Sequence, residues 1–288
     1  MFFKILKGDI KNGIFSLWKN YLITFLIFIF FSLLFFLTRR VTEYINPDII
    51  TQNVTFGDYL LHIFAGNSIS NFQTLDIING SISFEMPSLW FFLMIWLLYI
   101  TLQYPYRDLC GFGKHIIIQT ERRHYWWFSK CIWAVLSVLF YFLLAFAAIL
   151  IFSSITGGTP VIDIADFSPY DYVSDIDFIQ SPPFNMLPSL AITILVSIAL
   201  VLAELVLSLI IGPKYSYILL AGGVIASSYS TNPFLLSNYA MAIRNVSFVK
   251  NGLNFSSGTI LSIAIILICV IAGYFMFKNL DILSGEYK

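Results

Sequence analysis

Glu204 is the one charged residue inside the long apolar runs of this 288-residue chain. A charged side chain at the centre of a membrane helix costs about 2.5–3.5 kcal/mol even on lenient insertion scales, so by default it is a functional candidate. Three uses are open to it: lining a substrate path, carrying a proton, or pairing with a cation from a neighbouring helix. The other groups capable of chemistry are scattered. His62, His115 and His124 fall in separate segments without metal-site spacing, and no Gly-x-Ser-x-Gly nucleophile elbow occurs. Gly111-Phe112-Gly113-Lys114 lacks both the earlier glycine and the trailing Ser/Thr of a phosphate loop. No catalytic residue, cofactor-binding residue or metal ligand is expected, and the chain is not expected to bind and hydrolyse ATP alone. Cys110, Cys131 and Cys269 form no CxxC or Cys/His cluster and read as free apolar residues.

The elements that must position Glu204 follow from composition. Apolar residues make up 58% of the chain and charged residues 11%, against about 25% charged in a soluble globule. Mean hydropathy is +0.83. These values exclude disorder and an ordinary soluble domain, and they predict an all-α integral membrane protein, a single transmembrane domain over 1–288. A crossing needs about 20 residues. Six stretches are expected to cross: Tyr21–Thr38, Leu89–Tyr106, Cys131–Phe152, Leu187–Gly212, Tyr215–Thr231 and Gly258–Phe277. They are continuous apolar runs rather than alternating ten-residue segments, which argues against a barrel. The fifth is the most dilute, yet it carries Gly222-xxx-Ala226 and Gly223-xxx-Ser227, small-residue pairs that permit close helix contact within one chain or between two.

The placement of charge orients these spans. Of 16 Lys and Arg, 12 fall on the side of the N-terminus and 4 on the other: Arg39, Arg40, Arg244 and Lys250. By the positive-inside rule both termini are expected in the cytoplasm. The outer segment 153–186 has no Lys or Arg and five aspartates, and it and 39–88 are long for connections.

Three segments are not simple spans. Over 2–18, Phe3, Leu6, Ile10, Ile14 and Leu17 share a helical face beside Lys4, Lys7 and Lys11, the pattern of a helix lying in the interface plane. Over 107–130 a short helical candidate carries Ile116, Ile117 and Ile118, followed by Arg122, Arg123, Tyr125, Trp126, Trp127 and Lys130. Aromatic anchoring at the interface explains the tryptophans, but a triple isoleucine in a loop needs cover, and a cytoplasmic protein partner supplies it. Residues 229–257 are too apolar for a free loop and too short to span, so re-entrant or interfacial half-helices shielded by protein are expected there.

Together these features resemble the permease subunit of a type-2 ATP-binding-cassette exporter. An interfacial elbow helix at 2–18, six spans with both ends inside, a cytoplasmic segment between spans two and three, and an apolar re-entrant stretch before the last span carry the likeness over essentially the whole chain. The Arg122-Arg123-His-Tyr-Trp-Trp-Phe-Ser-Lys130 run is similar to the basic-aromatic entry to the family's third span. The resemblance implies that Lys114, His115, Ile116, Ile117, Ile118, Arg122 and Arg123 form a coupling segment docking on a separate cytoplasmic ATPase subunit. That partner, not this chain, would bind ATP and Mg. It also implies a second permease copy or paralogue across a shared pathway. The outer segments depart from minimal members in their length and acidity. The aromatic content, 18%, favours hydrophobic or amphipathic cargo such as an exported toxin or antimicrobial peptide. The expected location is a bacterial cytoplasmic membrane; no nucleic acid partner is expected. Two other classes stay open: a membrane sensor or scaffold reporting to a cytoplasmic partner, and a proton-coupled carrier using Glu204.

Overall fold

The computed structural model of the chain describes residues 2–45, 54–67, 87–111, 113–114, 123–165, 184–246, 248 and 252–279. Among them are eight α-helices: α1 (Phe2–Gly13), α2 (Trp18–Ile45), α3 (Phe56–Phe64), α4 (Ser88–Cys110), α5 (Arg123–Ile155), α6 (Leu187–Ile211), α7 (Pro213–Tyr229) and α8 (Phe255–Asn279). A two-stranded antiparallel ribbon pairs β1 (Asp163–Ile164) with β2 (Phe184–Asn185), in register Asp163 with Asn185 and Ile164 with Phe184. Among the described residues five stretches are long and apolar enough to cross a membrane: Phe2–Ile45, which contains α2, then α4, α5, α6 and Phe255–Lys278 of α8. The chain is a helical membrane protein. α7 stands where a further span is expected, but at 17 residues its length of about 25 Å falls short of a typical 30 Å hydrocarbon core.

α5 and α6 form the centre. α5 packs on α1, α2, α6 and α8, and α6 on α4, α5, α7 and α8. Small residues line their inner faces: Ala134, Ser137, Ala145 and Ala148 on α5, Ser189, Ser197 and Ala199 on α6, all buried. Small side chains let helix backbones approach closely where no hydrophobic force separates protein from lipid. The outer helices turn large apolar residues outward instead, Leu22, Leu26, Phe30 and Leu37 on α2 and Ile260, Ile263, Leu267 and Ile271 on α8.

The buried stripe of α1 differs from the amphipathic face expected from the sequence. Ile5, Asp9 and Gly13 point inward while Phe3 is 80% exposed. The apolar flank with Leu6 and Ile10 lies beside that stripe, and the lysines beyond it. The helix thus has three sectors, because Asp9 finds its partners inside the bundle.

At the opposite end of the bundle, α3 begins with a capping box between Thr55 and Asp58. Asp58 Oδ1 also accepts from the Ala165 N–H (2.9 Å) and the Thr55 hydroxyl donates to Asp163 O (2.7 Å), joining α3 to the ribbon. Residues 229–257 do not form half-helices where described. Two 3-10 turns, Leu236–Ala240 and Ala242–Arg244, tuck under the starts of α4 and α6. Ala240 O accepts from Trp90 Nε1 (3.1 Å) and from the Thr193 hydroxyl (3.2 Å).

Candidate functional site

Where α1, the last turns of α4 and the first turns of α5 meet, three charges gather, Lys130 and Asp9 buried and Asp108 half-buried. Lys130 Nζ lies 2.5 Å from Asp9 Oδ1 and 2.7 Å from Asp108 Oδ2, its side chain wholly inaccessible. Each carboxylate has a further donor. The Tyr104 hydroxyl donates to Asp9 Oδ1 (2.8 Å) and the Ser129 hydroxyl to Asp9 Oδ2 (2.5 Å), while Trp126 Nε1 donates to Asp108 Oδ2 (2.9 Å). The ammonium also sits over the Tyr104 ring at 4.5 Å and the Trp126 ring at 5.1 Å, a favourable cation–π arrangement. A buried ion pair persists when its remaining hydrogen-bonding capacity is met, and here both oxygens of Asp9 and one of Asp108 accept further donors.

Two glycines let the backbones close over this knot. A Cβ on Gly13 would strike Trp133 and Tyr104, and one on Gly113 would strike Asp108 and Trp126. α1 is therefore seated on α4 and α5 by a glycine contact one turn from its buried aspartate. The chain leaving α4 is pressed against the knot through Gly113.

Of the expected coupling segment, Lys114 is half-buried beside Gly113, and the Arg123 guanidinium donates from Nη1 to Lys278 O (3.0 Å), linking α5 to the end of α8. His115, Ile116, Ile117, Ile118 and Arg122 lie outside the described residues. Deeper in the bundle Glu204 of α6 is 2% exposed. No cation pairs with it among the described residues, so the ionic partner among its three possible uses is not found. Its neighbour is Thr101 of α4, whose hydroxyl oxygen is 3.0 Å from Glu204 Oε2 and 3.1 Å from the Leu97 and Leu98 carbonyls. Glu204 Oε1 has no hydrogen-bond partner among the described residues. Gly222, Gly223 and Ala226 lie on an exposed face of α7, where a Cβ on either glycine would meet nothing within 4 Å. Ser227 is turned inward and its hydroxyl donates to Gly223 O (2.8 Å).

A second polar hub, at the far end, is centred on Arg244. Its guanidinium donates to Ser227 O (2.5 Å), Ser228 O (3.0 Å), Asn67 O (3.0 Å) and Asn238 Oδ1 (2.5 Å). The bonds to Ser227 and Ser228 capture carbonyls at the end of α7 that no further helical turn can satisfy. Sequence reading missed Asp9, Asp108, Lys130 and Arg244 as site residues. Asp9 left one trace: it stands four residues from both Ile5 and Gly13, on one helical face. Among the described residues no three His, Cys, Asp or Glu side chains gather as metal ligands would. Cys131 and Cys269 are buried and Cys110 is exposed, and none of the three is in a disulfide.

Fold and site together define a helical membrane protein with a charge-locked joint at one end of its bundle. Residues 48–283 match the model of a family described as a protein of unknown function, DUF2705, and the chain belongs to that family. The matched range takes in Asp108, Lys130, Glu204 and Arg244 and leaves out α1 with Asp9. No curated protein and no solved structure matches the chain.

Proposed function

We propose that the chain is the permease subunit of an ATP-binding-cassette exporter, driven by a separate cytoplasmic ATPase. The observation that carries this reading is the Asp9–Lys130–Asp108 knot. It ties an interfacial elbow helix to the ends of two spans on either side of the segment 111–122, the place where such a subunit receives force. In this reading α7 is the fifth of six crossings, both termini are cytoplasmic, and the Leu236–Arg244 turns are the re-entrant stretch. The ATPase caps Lys114–Arg123, and closure of the nucleotide-bound dimer displaces that segment. The knot passes the displacement to α1, α4 and α5 as bodies, because buried charges cannot separate without large cost. The open Gly222, Gly223 and Ala226 face of α7 suits a second permease copy or a paralogue.

The cargo is hydrophobic or amphipathic, of the kind of an exported toxin or antimicrobial peptide. An apolar cleft of about 530 Å³ between α2 and α4, lined by Leu26, Ile27, Phe30, Phe31, Leu89 and Phe92, supports sideways entry from lipid. A second reading, a proton-coupled carrier, is favoured by the unpartnered oxygen of Glu204. Co-purification from native membranes tests the first. An ATPase with a phosphate loop should accompany the chain, and cargo should stimulate its turnover. Ile117→Asp should abolish export while ATP hydrolysis continues. Transport that needs no nucleotide, and that Glu204→Gln stops, would replace the exporter with the carrier.

A further inference from the structure

Glu204 stands about 10 Å from the end of α6 at Ile211. Thr101, its neighbour on α4, lies about 13 Å from the end of that helix at Cys110. The flanking residues Leu97, Leu98, Leu200 and Val201 are buried. The helices packed on α6 are α4, α5, α7 and α8, with the 3-10 turns at its start. The cations of these elements are Arg107, Arg123, Lys130, Lys214, Lys278 and Arg244, and Glu204 pairs with none of them. Their carboxylate, Asp108 of α4, is held by Lys130. Tyr217 of α7 lies close enough to interact with Glu204, with Tyr99 of α4 beyond it, and a phenol carries no charge at about pH 7.

The protons at this contact can be counted. A threonine hydroxyl has one proton to give and two lone pairs with which to accept. Within a helix that proton goes to a carbonyl one turn back, and Leu97 O and Leu98 O both lie 3.1 Å from Thr101 Oγ1. With the Thr101 proton so placed, the 3.0 Å approach of Glu204 Oε2 is a hydrogen bond only if the carboxyl supplies the proton. The other oxygen agrees. Glu204 Oε1 is buried and has no partner among the described residues. On an ionised carboxylate that oxygen would be a buried charge with neither donor nor cation, a state that side chains escape by becoming neutral. On a neutral acid it is a carbonyl oxygen, far less costly to leave bare.

We infer that Glu204 is a proton-binding site: it carries a proton on Oε2 and donates it to the Thr101 hydroxyl, so that a neutral acid closes the contact between α4 and α6. Thr101 passes its own proton to the α4 backbone, and the chain of bonds runs from the carboxyl into that helix. The class of ligand follows from the surroundings. Glu204 is 2% exposed, and a metal ion would need several oxygen ligands, whereas among the described residues no three metal-ligating side chains gather. A proton needs one carboxyl and one acceptor, and both are present. The inference is independent of the exporter and carrier readings, since the proton can be held here whether or not it ever crosses the membrane.

Infrared spectroscopy of the full chain in lipid vesicles at about pH 7 tests it. Ordinary carboxyls are ionised there, so a protonated acid stands out by its carbonyl stretch, well above the carboxylate bands. Wild type minus Glu204→Gln should show one such band. Should Glu204→Gln not fold, carbon-13 glutamate incorporated into the wild-type chain serves instead, because it moves the band of a glutamic acid and leaves those of the aspartates in place. Thr101→Val removes the acceptor but nearly keeps the shape, so the band should persist and move to higher wavenumber, as a carboxylic acid does on losing its hydrogen bond. Thr101→Ser restores the acceptor and should return the band to its wild-type position. No protonated-acid band from Glu204 at about pH 7 means an ionised side chain and overturns the site. A band that Thr101→Val leaves unmoved overturns the donation to Thr101. Neither result bears on whether an ATPase accompanies the chain, so failure here is separate from failure of the exporter reading.

Discussion

The two ends of the bundle bury charge in opposite ways. At the α1 end, Lys130 is neutralised by Asp9 and Asp108, each from a different helix. At the other end, Arg244 is held by carbonyl and amide oxygens alone among its hydrogen-bond partners. The first arrangement joins three separate elements through formal charges, so a strain on one is felt by all. The second finishes one helix and pins the turns that follow it. A cation surrounded by neutral dipoles makes a local anchor, whereas a cation between two carboxylates from different helices makes a joint.

This contrast predicts unequal responses to mutation. Lys130→Met should have the largest effect, about 3–5 kcal/mol of lost stability, because it leaves the buried Asp9 and the half-buried Asp108 without a counter-charge. Denaturant unfolding in detergent measures it, and Asp9→Asn/Asp108→Asn/Lys130→Met should recover much of the loss. A triple variant as unstable as the single would show that charge pairing is not what holds the joint. Arg244→Gln should cost less, about 2–3 kcal/mol, since the abandoned acceptors are neutral and lie near an end of the bundle. Hydrogen exchange should rise at the end of α7 and over 236–246 and stay unchanged in α1. Exchange spreading into α1 would remove the distinction between anchor and joint.

Glu204→Gln should change stability by less than about 1 kcal/mol, because an amide keeps a hydrogen bond to Thr101 and no cation among the described residues loses a partner. A large destabilisation would reveal an ionised Glu204 with a partner like those in the knot. The smallest effect concerns His62 on α3, half-buried against Phe35 at 4.8 Å. Burial lowers its imidazole from 6.5 to about 4. The unfolded chain therefore binds the extra proton first, and stability should fall as the pH drops from about 6.5 toward 4. His62→Gln should flatten that part of the pH profile of the thermal midpoint.

Much of the helical framework was legible from residue order. Leu187–Gly212 was expected and Leu187–Ile211 is found; the last span was expected from Gly258 and its helix begins at Phe255. Apolar runs of this length cannot leave backbone groups unpaired in lipid, so helices follow directly. Boundaries at water were less legible. α2 continues through Arg39 and Arg40 to Ile45, because lysine and arginine stop an apolar run without stopping a helix. Residues 236–244 read as half-helices but form 3-10 turns, with the Ala240 carbonyl taken by Trp90 and Thr193 at the starts of α4 and α6 and the Asn238 side chain by Arg244.

Within the site, sequence distinguished Glu204 and the run from Lys114 to Arg123, and it counted Lys130 only as one positive charge among many. Asp9 stood beside lysines that are its neighbours in sequence and on none of which it depends. Composition and the lengths of the apolar runs determined by themselves that this chain is helical and belongs in a membrane, because the solvent demands it of every residue in turn. Which charges meet was decided only by tertiary structure. Asp9, Asp108 and Lys130 are separated by up to 121 positions in the chain, and no local rule of propensity or periodicity relates residues on three different helices.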